Sequence, residues 1–159
     1  MTKDKPVIAF APFSKKRTDG KRNAKDFPYW EDVVSKLSDR CDIIQFAYGS
    51  ETPLVKPDSV LSNMPLHYIE HFVTNDADMF LCVDNYMQHL GHYVGKKGVV
   101  VYAQSDPRLF GYPENVNLYR DPMHFRKNQF LTSNQCDFSA EAFPSVAYVV
   151  GAVLDMLKL

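Results

Sequence analysis

Apolar and polar positions follow two rhythms along this chain. Short apolar runs recur at Val7 to Ala11, Asp42 to Ala47, Met79 to Val83 and Gly98 to Ala103. Their length and β-branched content suit strands buried on both faces. Between them the apolar positions fall at helical spacing. Trp30, Val33, Val34 and Leu37 follow Pro28, which suits a first helical turn. Leu66, Ile69, Phe72 and Val73 follow Pro65. Met87, Leu90, Gly91 and Val94 lie in a helix from Asn85 to Val94, with Gly95 as its C-cap. A last helix is expected from Phe143 to Leu157, with Pro144 in its first turn. Thr52 to Asn63 reads as irregular, Ser105 to Asn115 as a Pro- and Gly-containing loop, and Val116 to Tyr119 as a short fifth strand. Asp121 to Asp137 carries no clear pattern. Strands alternating with helices predict a mainly parallel sheet covered on both faces. The expected fold is a single three-layer α/β/α Rossmann-like domain over residues 1–159.

Composition narrows this little. With 159 residues the chain can bury one substantial core. A formal net charge of −1 supplies no global field toward nucleic acid or membrane. The three cysteines, Cys41, Cys82 and Cys136, form no Cys-x-x-Cys pair, which argues against a disulfide framework or a cysteine zinc site. Cys41 and Cys82 read as buried thiols of a reducing compartment. The N-terminus lacks the apolar run of a signal peptide. The longest apolar stretch, Val146 to Leu154, falls short of the ~20 residues of a membrane span. A cytoplasmic location is the expectation.

Charge is uneven, and there the chemistry begins. Ser14 to Lys25 carries six basic residues and one acidic residue. It lies between the first strand and first helix, where Rossmann-like domains hold phosphate on backbone N–H groups and a helix N-terminus. No G-x-G-x-x-G or Walker A is present, so the grip must come from Ser14, Lys15, Lys16, Arg17, Lys21, Arg22 and Lys25; a solvated loop is the alternative. After the second strand, Tyr48 to Glu51 presents a carboxylate able to accept two ribose hydroxyls. After the third, Asp84-Asn85-Tyr86 enters a helix whose free N–H groups face an anion, with Asn85, His89 and His92 on one helical face. Here too a plain cap with surface histidines is the alternative. His67-Tyr68-Ile69-Glu70-His71 fits the H-x-x-E-H zinc pattern. It sits on the polar face of an amphipathic helix and has no evident third ligand, so no metal site is expected.

Taken together, the three turns resemble the C-terminal, donor-binding half of the ADP-heptose:lipopolysaccharide heptosyltransferase family, two-domain GT-B glycosyltransferases. Ala11-Pro12-Phe13-Ser14 and then Lys25-Asp26-Phe27-Pro28 with Trp30 are similar to the family's Pro-containing loop and Lys-x-Trp-Pro. Gly49-Ser50-Glu51 is one residue shorter than Gly-x-x-Glu. Asp84-Asn85-Tyr86-Met87-Gln88-His89-Leu90, Gly95, Val99 to Tyr102 and Ser105-Asp106-Pro107 follow the family's Asp-Ser/Thr-Gly-x-x-His-Leu and the strand and turn after it. Asn85-Tyr86 replaces the small Ser/Thr-Gly pair.

The resemblance implies a nucleotide-diphospho-sugar ligand. Lys25 would neutralise the diphosphate and Glu51 would hold the ribose. Asp84, Asn85, Tyr86 and His89 would meet phosphates and sugar. It implies no cofactor and no metal, because Lys and Arg carry the charge. Nothing in the chain corresponds to the acceptor-binding half. The acceptor site and general base are therefore expected from a homodimer or a separate acceptor-binding subunit. The alternative is a non-catalytic nucleotide or nucleotide-sugar binding module. Nucleic-acid binding through the basic loop ranks below both, given the neutral overall charge.

Overall fold

The computed structural model describes residues 4–159; the first three residues of the N-terminal stretch lie outside them. Six strands form one sheet: β1 (Val7–Ala11), β2 (Asp42–Ala47), β3 (Val60–Ser62), β4 (Met79–Val83), β5 (Gly98–Val101) and β6 (Val116–Leu118). Their order is β3-β2-β1-β4-β5-β6, and every pair is parallel. The helices are α1 (Trp30–Leu37), α2 (Leu66–Asn75), α3 (Tyr86–Val94), α4 (Pro107–Phe110) and α5 (Val146–Leu157). This is the expected α/β Rossmann-like fold, with a sheet that is parallel throughout.

Alternation along the strands sorts the core into two layers. Ile8, Phe10, Leu81, Val83, Val99 and Val101 pack with Trp30, Val33 and Leu37 of α1 and Val149 and Val153 of α5. Ala9, Ala11, Phe80, Cys82 and Val100 pack with Ile69 and Val73 of α2 and Met87 and Leu90 of α3. On the second side the spacing is tight. The Phe80 ring lies against Gly91 of α3 and Gly98 of β5, and a Cβ at either glycine would fall inside it.

Several local expectations need correction. Pro28 and Pro144 each stand two positions before their helix, and α5 is opened by Ser145, whose side chain accepts from the Tyr148 N–H. Leu66 is exposed, because a first-turn side chain tilts back past the packed face. Thr52 to Asn63 contains a 3₁₀ turn at Pro57–Ser59 and the edge strand β3. Three residues between a proline turn and Asn63 are too few to show a period. Ser105 to Asn115 contains α4, capped by Asp106. The patternless Asp121 to Asp137 consists of loops with 3₁₀ turns at Pro122–His124 and Ser133–Gln135. Side chains hold it in place of a core. Gln129 accepts from the Asp106 N–H and donates to the carbonyls of Gln104 and Arg126.

The window 140–157 is apolar enough for a span by composition. Its α-helix starts only at Val146, and its twelve residues rise about 18 Å, against the ~30 Å of a bilayer core.

Candidate functional site

From β1 the chain crosses to β2 on one side of the sheet, and it later enters β4 on the other. The loops leaving β1 and β4 therefore part, and a crevice opens at their carboxyl ends, the usual ligand position in open α/β sheets. A cavity of about 730 Å³ lies there. Ser14 and Lys25 reach it from the loop after β1, Tyr48 and Glu51 from the turn after β2, and Asp84, Asn85, Tyr86 and His89 from the β4–α3 turn.

Asp84 is the hub. Its Oδ2 is 2.8 Å from the Lys25 Nζ. Its Oδ1 accepts from Gln88 Nε2 at 2.6 Å, and Gln88 Oε1 accepts from the Tyr102 hydroxyl at 2.9 Å. Gln88 and Tyr102 are fully enclosed. A polar chain thus runs from the core through Asp84 to a half-exposed ammonium on the cavity. Each buried polar group in it is satisfied, as its enclosure requires. The Ser14 hydroxyl donates to the Asp84 carbonyl and ties the first loop to the third turn.

Asn85 is committed to structure. Its Oδ1 caps α3 by accepting from the Met87 N–H, and its Nδ2 donates to the carbonyls of Ala11 and Phe13. It fastens the β4–α3 turn to the end of β1. Glu51 accepts the Tyr48 N–H on Oε2, and burial pushes its carboxyl above the usual range. His89 pairs through Nδ1 with the Tyr112 hydroxyl at 2.8 Å. His92 leaves the cavity, stacks on the Tyr112 ring at 3.9 Å and pairs with Glu114.

The basic loop divides. Ser14, Lys15 and Lys25 line the cavity; Arg17, Lys21 and Arg22 do not. Arg17 is buried, paired with Asp19, and donates to the carbonyls of Asn134 and Cys136. It anchors the C-terminal segment. Arg22 lies 4.5 Å over the Phe138 ring. Charge density alone could not separate these roles, because the long-range partners of Arg17 lie over a hundred residues away.

The same segment adds wall that sequence reading missed: Arg126, Leu131, Ser133 and Cys136. Arg126 donates to the Cys136 sulfur at 3.3 Å and to the Gln129 carbonyl at 2.8 Å. No periodicity marks these residues. His67 and His71 stand exposed on α2, and among the described residues no group of three potential metal ligands is gathered.

Sheet order, layers and switch-point cavity define the chain as an α/β Rossmann-like domain. The solved structures it resembles bear this out. The dodecameric iron-containing heptosyltransferase TibC, solved in complex with ADP-D-beta-D-heptose and known from enterotoxigenic E. coli, superposes with a TM-score of 0.65 at 12% identity over 99% of this chain and 47% of its own. E. coli ADP-heptose LPS heptosyltransferase II gives 0.62 at 12% identity, over 100% of this chain and 49% of its own. E. coli heptosyltransferase WaaC with ADP gives 0.52 at 19% identity, over 74% and 38%. The chain spans about half the length of these proteins or less. No protein-family model and no curated protein matches it.

Proposed function

We propose that this chain binds a nucleotide-diphospho-sugar at the switch-point cavity, as the C-terminal, donor-binding half of a GT-B glycosyltransferase does. The observation that carries the reading is the convergence of Lys25, Glu51, Asp84 and His89 on one cavity. They come from the loop after β1, the turn after β2 and the β4–α3 connection with the first turn of α3.

The geometry supports the following roles. Lys25 gives one N–H to Asp84 and keeps two for a diphosphate. Lys15 and Arg126 stand on the same cavity and add positive charge. The N-terminus of α3 adds a partial positive charge. In a transfer reaction these groups would stabilise the departing diphosphate where its charge develops. No metal is needed for that step; donor binding unchanged by EDTA is the expected result. Glu51 spends Oε2 on a backbone N–H, which leaves Oε1 for a ribose hydroxyl. The acceptor and general base would come from outside these residues. TibC is dodecameric and the three neighbours are about twice as long.

A second reading is a binding module without transfer chemistry. It is favoured by Asp84, the most enclosed carboxylate on the cavity, whose oxygens are both engaged and so poorly placed to take a proton. Thermal shift with ADP-, UDP-, GDP- and CMP-linked sugars tests the main reading. One nucleotide class should raise the melting temperature. No shift with any of them, beside salt-sensitive binding to DNA or RNA, would sink it. Slow hydrolysis of a bound donor without acceptor separates enzyme from module.

A further inference from the structure

Tyr86 occupies the first position of α3 and lines the cavity. Its hydroxyl oxygen is fully enclosed, yet it makes no hydrogen bond. The Tyr48 ring meets the Tyr86 ring edge-on at 5.7 Å. Burial, and then the nearby Tyr48 hydroxyl, push the Tyr86 phenol far above its usual range, but the approach of the two hydroxyls falls outside hydrogen-bonding geometry. Tyr86 is therefore a neutral O–H donor held against the cavity wall without an acceptor. Such a group is rare inside proteins, because enclosing it unsatisfied is unfavourable.

Three features say what would satisfy it. The covering ring, Tyr48, is 39% exposed, on a turn whose backbone is held by Glu51 and Asn63. It is the movable partner; Tyr86, packed with the core layer beneath α3, is not. Glu51 closes the same corner, bonded to the Tyr48 N–H, with Oε1 left over. A carboxyl oxygen that accepts and a phenol that donates, side by side on an otherwise aromatic corner with Phe46, complement two neighbouring hydroxyls.

We infer that Tyr86 and Glu51 together read the cis-diol of a ribose. Glu51 accepts from one hydroxyl. Tyr86 donates to the oxygen of the other, the 2′-hydroxyl, as Tyr48 swings aside. Tyr86 thereby selects ribonucleotides over 2′-deoxyribonucleotides. This rests on the nucleotide reading above and adds to it the discrimination and the residue that makes it.

The test is calorimetric titration of wild type and Tyr86→Phe with ADP, GDP, UDP and CDP and their 2′-deoxy counterparts, beside a melting curve of each protein. Wild type should bind its preferred ribonucleotide about tenfold more tightly than the deoxy form, the worth of one buried neutral hydrogen bond. Tyr86→Phe should lose that preference and bind the deoxy form as wild type does. It should also melt at a higher temperature without ligand, because it removes an unsatisfied hydroxyl; a purely structural tyrosine would give the opposite sign. Equal weakening toward both sugar forms, an unchanged ribose preference, or a lower melting temperature would overturn the assignment. Binding of none of the eight nucleotides by wild type would overturn the nucleotide reading itself.

Discussion

Lys25 pairs with a buried carboxylate and faces the cavity, where the proposed ligand would place its diphosphate. Lys25→Ala should weaken nucleoside diphosphate binding roughly ten- to hundredfold, with nucleoside binding much less affected. Titration of both ligands measures the split, and equal loss for both would remove the diphosphate role. The Tyr102–Gln88 pair holds Asp84, and through it Lys25. Tyr102→Phe should produce the same split more weakly. Asp26, beside Lys25, behaves differently. It accepts from the Ser14 N–H at 2.8 Å, and burial outweighs that bond and the nearby Arg22, pushing its carboxyl to about 6 from 3.8. The folded value lies above the unfolded one, so the fold holds the proton more tightly. Its stabilising contribution is full below pH 3.8 and is lost as pH rises through about 6. Asp26→Asn should remove that slope. Denaturant titrations at pH 4 and pH 7.5 should show the variant gaining about 1–2 kcal/mol on wild type between them; parallel behaviour would contradict the assignment.

At the level of elements, the site depends on how closely α3 can sit on the sheet. The Phe80 ring fills the space between Gly91 of α3 and Gly98 of β5, so the helix backbone rests directly on that ring with no side chain of its own between. That approach sets the height of the α3 N-terminus, where Asn85 clips the turn to the end of β1. Gly91→Ala should cost about 1–3 kcal/mol through overpacking, since the enclosed ring has nowhere to move. In a domain of this size that lowers the melting temperature by several degrees. Adding Phe80→Leu should recover part of the loss if the clash is the cause. A Gly91→Ala variant as stable as wild type would show that the layers shift freely. The four long strands and the helices α1, α2, α3 and α5 were legible because each buries enough residues to display a period. β3 and α4, with three and four residues, were not, because caps and pairing partners define them. The fastening of Asp121 to Asp137 by Arg17 and Gln129 was equally hidden, since its partners are distant in sequence.

Across the whole molecule, the cavity is walled by the loops after β1, β2 and β4 and by the returning C-terminal segment. A ligand there touches all four at once. Hydrogen exchange should slow together around residues 13–15, 48–51, 84–87 and 131–136 on adding the donor that raises the melting temperature. Protection confined to one loop would place the ligand elsewhere. The sequence by itself determined the layers and the polarity of the sheet. Buried parallel strands and amphipathic helices impose local periods, and alternation of the two leaves few ways to wind the chain. It also marked Lys25, Glu51, Asp84, Tyr86 and His89, because turns at strand ends carry function and the third bears a recognisable pattern. Only the tertiary structure decided that these turns share one cavity and that Arg17 turns from it to pair with Asp19, Asn134 and Cys136. It alone showed that Arg126 and Cys136 close the wall, and that the Tyr86 hydroxyl is enclosed without a partner. Those facts are distances between residues far apart along the chain, set by how the layers pack and by no local pattern that a sequence displays.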